Sequence, residues 1–598
     1  MRIYRRWVLF IVFGCCWCIN LKAVSINPLD KRIDDIIGFC KLYGYVRYFH
    51  PSDEASQIDW DRFAVWGIRS IANLKEGDKL MDCLNSMFVP IAPTLKISDQ
   101  PFSKNYKSPS IFVNLKNAKT TCWQHFGVQG LDLNSVYRSI RTNRSSVHDL
   151  FSETLKIGDC ITDKISSELY CYVPLCLYIK DSTTFPKSDP VKLEQVKTEL
   201  AKINTNDTAL ANRIGSVIVT WNLIQHFYPY RDKMDHWDQS LRDAIVKCYQ
   251  DAKMGDFVVT LNLLLAHIND GHAFATSKAL PPIFLPPMDW KYLHDTLVVS
   301  EIFDSTKIED LQIGDVVMSI DGDPVKKKIE EMMMTKSAST LRYRRFLAVF
   351  SLLKGEENST VKLKVSRKGE VKDIAVKRTV GMPYYWQNYM SAGPKYKAIN
   401  DSTIYVNFAK ASLPYIDSLM PTIKSKKFII CDLRGYPNGN HQFLSHLLPL
   451  DDTAKSWFRI PQIMLPNYKN VRYSLSGWNL KKSDKLNTKA VFIVDQEVVS
   501  YGESFMSIVE NYKLGIIVGD STAGTNGNMN AFNLPFNGCL VKFTGMNVTK
   551  LNGDKLVGVG VIPGVVVKPS VRGVILHRDE MLNKAIEITL NYNQFKGR

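Results

Sequence analysis

Outside its N-terminal apolar run, the sequence lacks any pair of cysteines with C-x-x-C spacing. It contains 12 cysteines. Cys15, Cys16 and Cys18 lie in an N-terminal apolar run, and the other nine are scattered without a C-x-x-C pair. An odd number cannot all pair within one chain, so we expect mostly buried free thiols, and neither a disulfide scaffold nor a metal site.

A concentrated basic segment is also missing. The net charge is +17 and the pI about 9.1, yet the lysines and arginines are spread along the chain. There is no arginine-rich arm, zinc-finger spacing or helix-turn-helix signature, so we predict a generally basic surface and no nucleic-acid binding. Beyond the N-terminus, no stretch is apolar enough to span a membrane.

The N-terminus has the pattern of an export signal. Met1–Arg6 carries three arginines, and Trp7–Ile19 is a short apolar run. Two processing sites fit, namely cleavage after Ala23 or a bacterial lipoprotein box that makes Cys15 the lipidated first residue. We therefore expect an exported protein of a Gram-negative bacterium, either periplasmic or anchored to a membrane through Cys15.

A helical pattern occurs twice and predicts an internal repeat. Arg213–Pro229 is similar to Arg32–Pro51, and Trp237-Asp238 matches Trp60-Asp61. Only the second copy ends in HINDGHAFA, which contains His272. A group present in one copy of a duplicated scaffold suggests a chemical role, and the alternative is a core histidine.

Two later regions have distinct patterns. Leu311–Val325 reads LQIGDVVMSIDGDPV and resembles a PDZ domain, which implies peptide binding by strand addition. The long insertion Lys326–Leu353 departs from the minimal module, so a spacer or gate is the alternative.

From Thr403 onward, buried strands alternate with helices, which predicts βαβ units and a mostly parallel sheet.

Ser500 lies at the predicted junction between a strand and a helix. Ala490–Val494 is a buried-strand pattern, and helical periodicity begins at Ser500. A serine at a helix N-terminus can attack a carbonyl while nearby N–H groups hold the oxyanion. The structural alternative is an N-cap serine, with Glu503 closing a capping box.

Together these motifs resemble the serine peptidases of the C-terminal processing protease and tricorn type. The order is D-G-H, a PDZ-like region, D-L-R-G-x-P-x-G, S-x-x-E and then G-D-S-T-A-G-T-N-G. The resemblance covers roughly residues 213–590. It implies a crotonase-like βαβ catalytic core, no metal or organic cofactor, and a peptide or unfolded protein as substrate.

The resemblance also implies residue roles. Ser500 matches the nucleophile, and the backbone N–H groups of Tyr501 and of the Asn438-Gly439 turn match the oxyanion donors. Thr522, Gly524 and Thr525 form the loop that follows the nucleophile helix. Because Thr525 stands where the processing branch has its lysine, the base is expected to be His272, as in the tricorn-like branch.

Three positions depart from the tricorn pattern. Gly271 replaces a serine, Val557 stands where a glutamate is expected, and Pro563-Gly564 replaces Pro-Asp. The residue that orients His272 is therefore open. Glu503 is the candidate carboxylate near the site, and Asp270 is a second candidate whose alternative is a solvated loop carboxylate.

The sequence thus predicts a multidomain α/β serine endopeptidase that works through an acyl-enzyme. The alternative is an inactive protein on the same fold that binds peptides or hydrophobic ligands; a glycan-associated accessory protein is a third reading, without any sugar-binding signature. The predicted divisions are an export signal at 1–24, a mixed α+β N-terminal domain at 25–200, a helical domain at 201–290, a PDZ-like domain at 291–380 and the peptidase core at 381–598.

Overall fold

The computed structural model describes residues 28–103, 106, 118–132, 135–144, 148–308, 310–385 and 393–595. The predicted export signal, with Cys15, lies outside the described residues. No helix in the described ranges is long and apolar enough to cross a membrane.

The helices of the two similar sequence segments pack into one core. Pro28–Phe49 lies against Leu210–Phe227, and Gly44 permits this close approach, since a Cβ there would lie 2.6 Å from both Asn222 Cγ and His226 Nε2. The helices of this region are Pro28–Phe49, Asp53–Ser56, Trp60–Ala72, Leu80–Phe88, Pro190–Ala201, Leu210–Phe227, Trp237–Gln250 and Met254–Ala266, with a 3-10 turn at Arg231–Lys233.

The β-rich segment between the two helical copies joins the C-terminal half of the chain. Thr120–Phe126 pairs with Phe458–Ile463, so residues from both halves share one antiparallel sheet. The strands of this sheet are Thr120–Phe126, Arg138–Arg141, Cys176–Lys180, Thr183–Phe185, Phe458–Ile463, Arg472–Ser476 and Asn547–Val548. A smaller sheet contains Lys96–Ser98, Cys160–Lys164 and Tyr170–Pro174.

A second antiparallel sheet follows, here called the antiparallel module (288–377). Alternating burial along Thr360–Arg367 places Val361, Leu363 and Val365 in its core. Its strands are Met288–Leu293, Thr296–Ile302, Val316–Ile320, Asp323–Pro324, Thr360–Arg367 and Glu370–Lys377, flanked by a 3-10 turn at Ser305–Lys307 and by a short pair formed by Phe284–Leu285 and Val380–Gly381. The insertion in this region forms the helices Val325–Met334 and Leu341–Ser351.

The C-terminal region contains the parallel sheet that the sequence predicts. Its parallel strands are Thr403–Asn407, Phe428–Asp432, Lys489–Val494, Gly515–Gly519 and Val565–Val566, with Tyr396–Asn400 antiparallel at one edge. Separate apolar cores cover its two faces, which explains why the strands are apolar without alternation. The helices are Leu413–Lys424, Tyr501–Tyr512, Val571–Ile575, Glu580–Leu590 and Tyr592–Phe595.

One predicted helix is shorter and tighter than expected. The sequence pattern predicts a helix over His441–Leu448, whereas the structure has a 3-10 helix at His441–His446. Pro449 follows directly, and a proline disfavours helical backbone in the residue before it. The segment therefore ends in a turn that buries Phe443 and Leu444.

The two halves of the chain meet again at a small three-stranded sheet. Phe274–Ser277, just after His272, pairs with Cys539–Thr544, which in turn pairs with Met529–Asn533. This pairing brings the end of the helical region beside the loop that follows the Ser500 helix.

Candidate active site

Ser500 occupies a strained backbone position between the strand Lys489–Val494 and the helix Tyr501–Tyr512. Its φ is 55° and its ψ is −113°, a conformation that costs an L-residue on the order of 1–3 kcal/mol and is often found at functional sites. Its N–H donates to Thr525 O at 2.8 Å. Its side chain accepts no capping hydrogen bond from the helix, so the capping box considered as the alternative is not formed.

Glu503 supports the loop beside Ser500. This buried carboxylate accepts hydrogen bonds from the Thr522 hydroxyl, the Gly524 N–H at 2.6 Å and the Thr525 N–H at 2.7 Å. Burial raises its pKa to about 7, against the opposing effect of these donors and of Arg342. The carboxylate therefore holds the loop whose Thr525 carbonyl fixes Ser500.

Glu503 does not contact His272, so the structure gives it a different place from the orienting carboxylate that the sequence suggested. The backbone N–H groups of Gly524 and Thr525 are also taken by Glu503. The predicted substrate loop thus supports the Ser500 backbone, and these two amides do not face a ligand.

The segments that carry the predicted oxyanion donors pack against each other. Within the described residues, the Tyr501 N–H makes no hydrogen bond. Pro437 packs on the first turn of the Ser500 helix, since a Cβ at Gly502 would lie 3.2 Å from Pro437 Cδ. The Asn438 N–H donates to Phe408 O at 3.0 Å, whereas the Gly439 N–H reaches only Pro437 O at 3.2 Å. Of the Asn438-Gly439 pair, Gly439 is therefore the better available donor.

His272 is held by a threonine and an aspartate. Its Nδ1 lies 2.9 Å from Thr544 Oγ1, which is also 2.9 Å from Asp270 Oδ1. A carboxylate can only accept, so the Thr544 hydroxyl donates to Asp270 and accepts from Nδ1–H of His272. This arrangement assigns the proton to Nδ1 and leaves the Nε2 lone pair free to act as a base.

Asp270 is itself fixed by the backbone on both sides of the site. Its carboxylate accepts the His272 N–H at 2.9 Å and the Thr544 N–H at 2.7 Å, and its own N–H donates to Ser337 Oγ at 2.9 Å. Burial lowers the pKa of His272 below its usual value, because it disfavours imidazolium, and the charge of Asp270 opposes this.

The loops carrying Ser500 and His272 touch through Thr525. A Cβ at Gly271 would collide with Thr525 Oγ1 and lie 2.8 Å from Tyr343 Cε1, so a serine at this position would separate the loops. This accounts for the glycine before His272. No hydrogen bond joins the Ser500 hydroxyl to the His272 ring among the contacts of the described residues.

Sequence reasoning missed a group of residues that joins both halves of the site. We call residues 337–344 the clamp. Ser337 binds the Asp270 N–H, Ser339 Oγ lies 3.0 Å from Thr525 Oγ1, and Thr340 donates to Ala523 O at 2.8 Å. Arg342 also donates to Thr522 O and Val559 O. The clamp lies in the insertion 326–353. The sequence pattern there indicates only N-cap residues, because hydroxyl side chains are common at helix starts.

Packing explains why a valine stands at position 557, where the tricorn pattern has a glutamate. The Val557 side chain is buried in the apolar core that the helical region shares with the strand Cys539–Thr544, so no carboxylate reaches the site from there. Among the residues that the structure describes, no three or more His, Cys, Asp or Glu side chains are grouped to hold a metal ion.

A sequence model of peptidase family S41 matches residues 415–567. Residues 415–567 are therefore similar to peptidase family S41. This match supports a serine-type peptidase. The matched segment contains eight of the candidate residues, namely Asn438, Gly439, Ser500, Tyr501, Glu503, Thr522, Gly524 and Thr525, and His272 lies before it.

Two solved structures extend the likeness, in fold alone, beyond the matched segment. Mature CPAF complexed with lactacystin has a TM-score of 0.52 and 13% identity, covering 64% of this chain and 99% of that chain. Mature CPAF gives the same score and identity over 65% and 99%. The photosystem II D1 C-terminal processing protease has a TM-score of 0.37 and 14% identity, covering 61% and 95%. No curated protein matches the chain in sequence.

Proposed function

We propose that this chain is a serine endopeptidase of the S41 type that cleaves peptides or unfolded proteins through an acyl-enzyme. The observation that carries the proposal is the strained strand-to-helix position of Ser500, beside a Tyr501 amide without a partner and the Gly439 turn. This is the arrangement in which an exposed hydroxyl can attack a carbonyl while backbone amides stabilise the resulting oxyanion.

In the first step, Ser500 Oγ attacks the scissile carbonyl carbon as its proton passes to His272 Nε2. The carbonyl oxygen becomes the oxyanion and accepts hydrogen bonds from the Tyr501 and Gly439 N–H groups. The C–N bond then breaks as the imidazolium gives its proton to the leaving amine. Each oxyanion donor typically contributes about 3 kcal/mol of transition-state stabilisation.

In the second step, water attacks the acyl ester. His272 Nε2 takes a proton from this water and returns it to Ser500 Oγ, which releases the carboxylic acid and restores the starting state. The proposed contact between Ser500 and His272 forms on substrate binding, since catalytic hydrogen bonds are often long in substrate-free enzymes and tighten in the complex.

The base assignment leads to an expected pH dependence. His272 must be neutral to accept a proton, so kcat/KM should rise as pH increases through its pKa. Because burial lowers this pKa below the usual 6.5, more than half of the plateau activity is expected at pH 6.5. Measuring kcat/KM from pH 4.5 to 8 tests this, and a half-maximum near pH 7 would instead implicate Glu503, whose pKa is raised to about 7.

Covalent labelling tests the proposed nucleophile. A fluorophosphonate probe should label the wild-type chain and fail to label Ser500→Ala, because only an activated serine reacts at a useful rate. Ser476→Ala, at an exposed position on the edge strand Arg472–Ser476, should label like wild type. A wild-type chain that stays unlabelled would contradict an activated serine and favour the inactive binding protein.

The finer assignments extend the same proposal. We propose a crotonase-like core, a base of the tricorn-like type and a PDZ-like role for the antiparallel module in peptide binding. Contacts of the clamp, which belongs to this module, with Asp270 and Thr525 support a link between the module and the site.

We also propose that the chain is exported and acts in the periplasm or on a membrane through a lipidated Cys15. The support is the sequence pattern of three arginines followed by a short apolar run.

A further inference from the structure

A cavity of about 340 Å³ lies between the antiparallel module and the carboxyl edge of the parallel sheet. It is lined by five aromatic side chains, Trp290, Tyr292, Phe346, Phe350 and Tyr385, and by charged residues from both sides. Its volume is at the lower end of the range of small-molecule sites, about 300–1,000 Å³. Neither Ser500 nor His272 is among its lining residues.

Two carboxylates in this cavity have no cation bound to them. Asp289 is only 9% exposed and accepts the Tyr385 hydroxyl at 3.2 Å, and Asp495 accepts the Glu497 N–H at 2.9 Å. Within the described residues, neither forms an ion pair. Burial raises the pKa of Asp289 to about 6, and Lys291 opposes this shift. Burial and the charge of Glu497 raise the pKa of Asp495 to about 7, and Arg434 and Lys291 oppose this shift.

Three of the cavity's cations make contacts of their own. Arg342 donates to the carbonyls of Thr522 and Val559, Arg345 lies over the Tyr292 ring at 5.5 Å, and Lys568 lies 4.0 Å from Asp520. Lys291 is exposed. Among the described residues, Asp289 and Asp495 are therefore cavity carboxylates without an ion-paired cation, and the exposed Lys291 lies at the cavity wall.

We propose that this cavity binds an organic cation, an ammonium or guanidinium group on an apolar stem. Asp289 and Asp495 supply the charge partners, and the aromatic rings enclose the stem and attract the cation through their faces. The same chemistry is carried by a lysine or arginine side chain of a peptide substrate and by a free small amine.

Occupancy of the cavity is expected to influence catalysis through one helix. Leu341–Ser351 lines the cavity with Arg345, Phe346 and Phe350, and the clamp at its N-terminus holds the loops of Ser500 and His272. A ligand that packs against this helix therefore acts on the element that connects both halves of the site. This coupling rests on the proposed function, whereas the binding itself does not.

Calorimetry on full-length Ser500→Ala protein tests the binding without any need for activity. The probe n-butylguanidine should bind, and n-butylurea, which has the same shape without the charge, should bind at least tenfold more weakly. Adding Asp289→Asn or Asp495→Asn should weaken n-butylguanidine binding roughly tenfold or more, because each amide keeps the neutral acceptor and loses the charge. Asp373→Asn, an exposed acid on the same module, should leave it unchanged.

Hydrolysis assays with the wild-type active site distinguish the two sources of the cation. A capped peptide with arginine should show a lower KM than its citrulline counterpart if the substrate supplies the cation, and Asp289→Asn should abolish this preference. Equal KM values together with n-butylguanidine binding would assign the site to a free amine. Equal binding of n-butylguanidine and n-butylurea, or binding unchanged in the Asp289→Asn, Asp495→Asn double variant, would overturn the proposal. Failure of all peptides to be cleaved would count against the peptidase function alone.

Discussion

Replacing His272 with alanine is expected to lower kcat/KM by about 10⁴- to 10⁶-fold. Without the imidazole, no group takes the Ser500 proton during attack or returns it to the leaving amine, and loss of a catalytic histidine has this order of effect in serine peptidases. The expected result is residual activity close to that of Ser500→Ala. The measurement is steady-state hydrolysis of a fluorogenic peptide or casein substrate.

The matched control is His267→Ala. His267 ends the helix Met254–Ala266 in the same region and contacts Asp235 at the surface, so its removal should leave kcat/KM within a few-fold of wild type. His272→Gln and a urea unfolding curve separate lost chemistry from lost stability. Activity near the wild-type level in a folded His272→Ala variant would discard His272 as the base.

The parallel sheet and the position of Ser500 could be predicted because their signals are local. The strand pattern at Ala490–Val494 and the change to helical periodicity at Ser500 depend on neighbours in the sequence. The observed strand Lys489–Val494 and helix Tyr501–Tyr512 agree with that pattern. The backbone strain at Ser500 could not be predicted from the sequence, because a serine at the start of a helix usually acts as its N-cap.

The partners of His272 could not be predicted because they come from distant strands. Thr544 reaches the ring only because Cys539–Thr544 pairs with Phe274–Ser277, and register between such segments is set by tertiary packing. The role of the clamp could not be predicted for the same reason, because its hydroxyl groups contact loops from two other regions of the chain.

Glu503 shows how a correct location can conceal a different role. Its place one turn into the Ser500 helix suggested a carboxylate near the base. The structure instead directs both carboxylate oxygens to the 522–525 loop. A buried carboxylate seeks the nearest donors, and three were available in that loop. Its contribution to the site is therefore indirect, through the Thr525 carbonyl that receives the Ser500 N–H.

The sequence did not identify the residue that orients His272, and in the structure Asp270 and Thr544 hold its ring. Asp270 is joined to the ring through the Thr544 hydroxyl, so the chain from carboxylate to imidazole contains one more hydrogen bond than a direct aspartate–histidine pair. The carboxylate still fixes the direction of every proton in that chain, because it cannot donate. We therefore propose Asp270 as a positioning residue that acts through Thr544 and His272.

The second large effect is expected for Asp270→Asn, which should lower kcat/KM by about 10³- to 10⁴-fold. An asparagine amide group can donate to Thr544, whose hydroxyl then donates to His272 Nδ1 and leaves the ring protonated on Nε2. Loss of the aspartate in a serine peptidase triad costs a similar amount through the wrong tautomer. Thr544→Val should also lose activity, and Thr544→Ser, which keeps the hydroxyl, should restore most of it.

The pH profile distinguishes positioning from a merely structural role. The charge of Asp270 raises the pKa of His272 against the effect of burial, so its removal should move the acid limb of kcat/KM to lower pH. Loss of stability alone would reduce the amount of active enzyme and leave the limb in place. Asp243→Asn, an exposed acid in the helix Trp237–Gln250, should change neither quantity. An Asp270→Asn variant with an unmoved acid limb and a loss of activity below tenfold would show that another group orients the base.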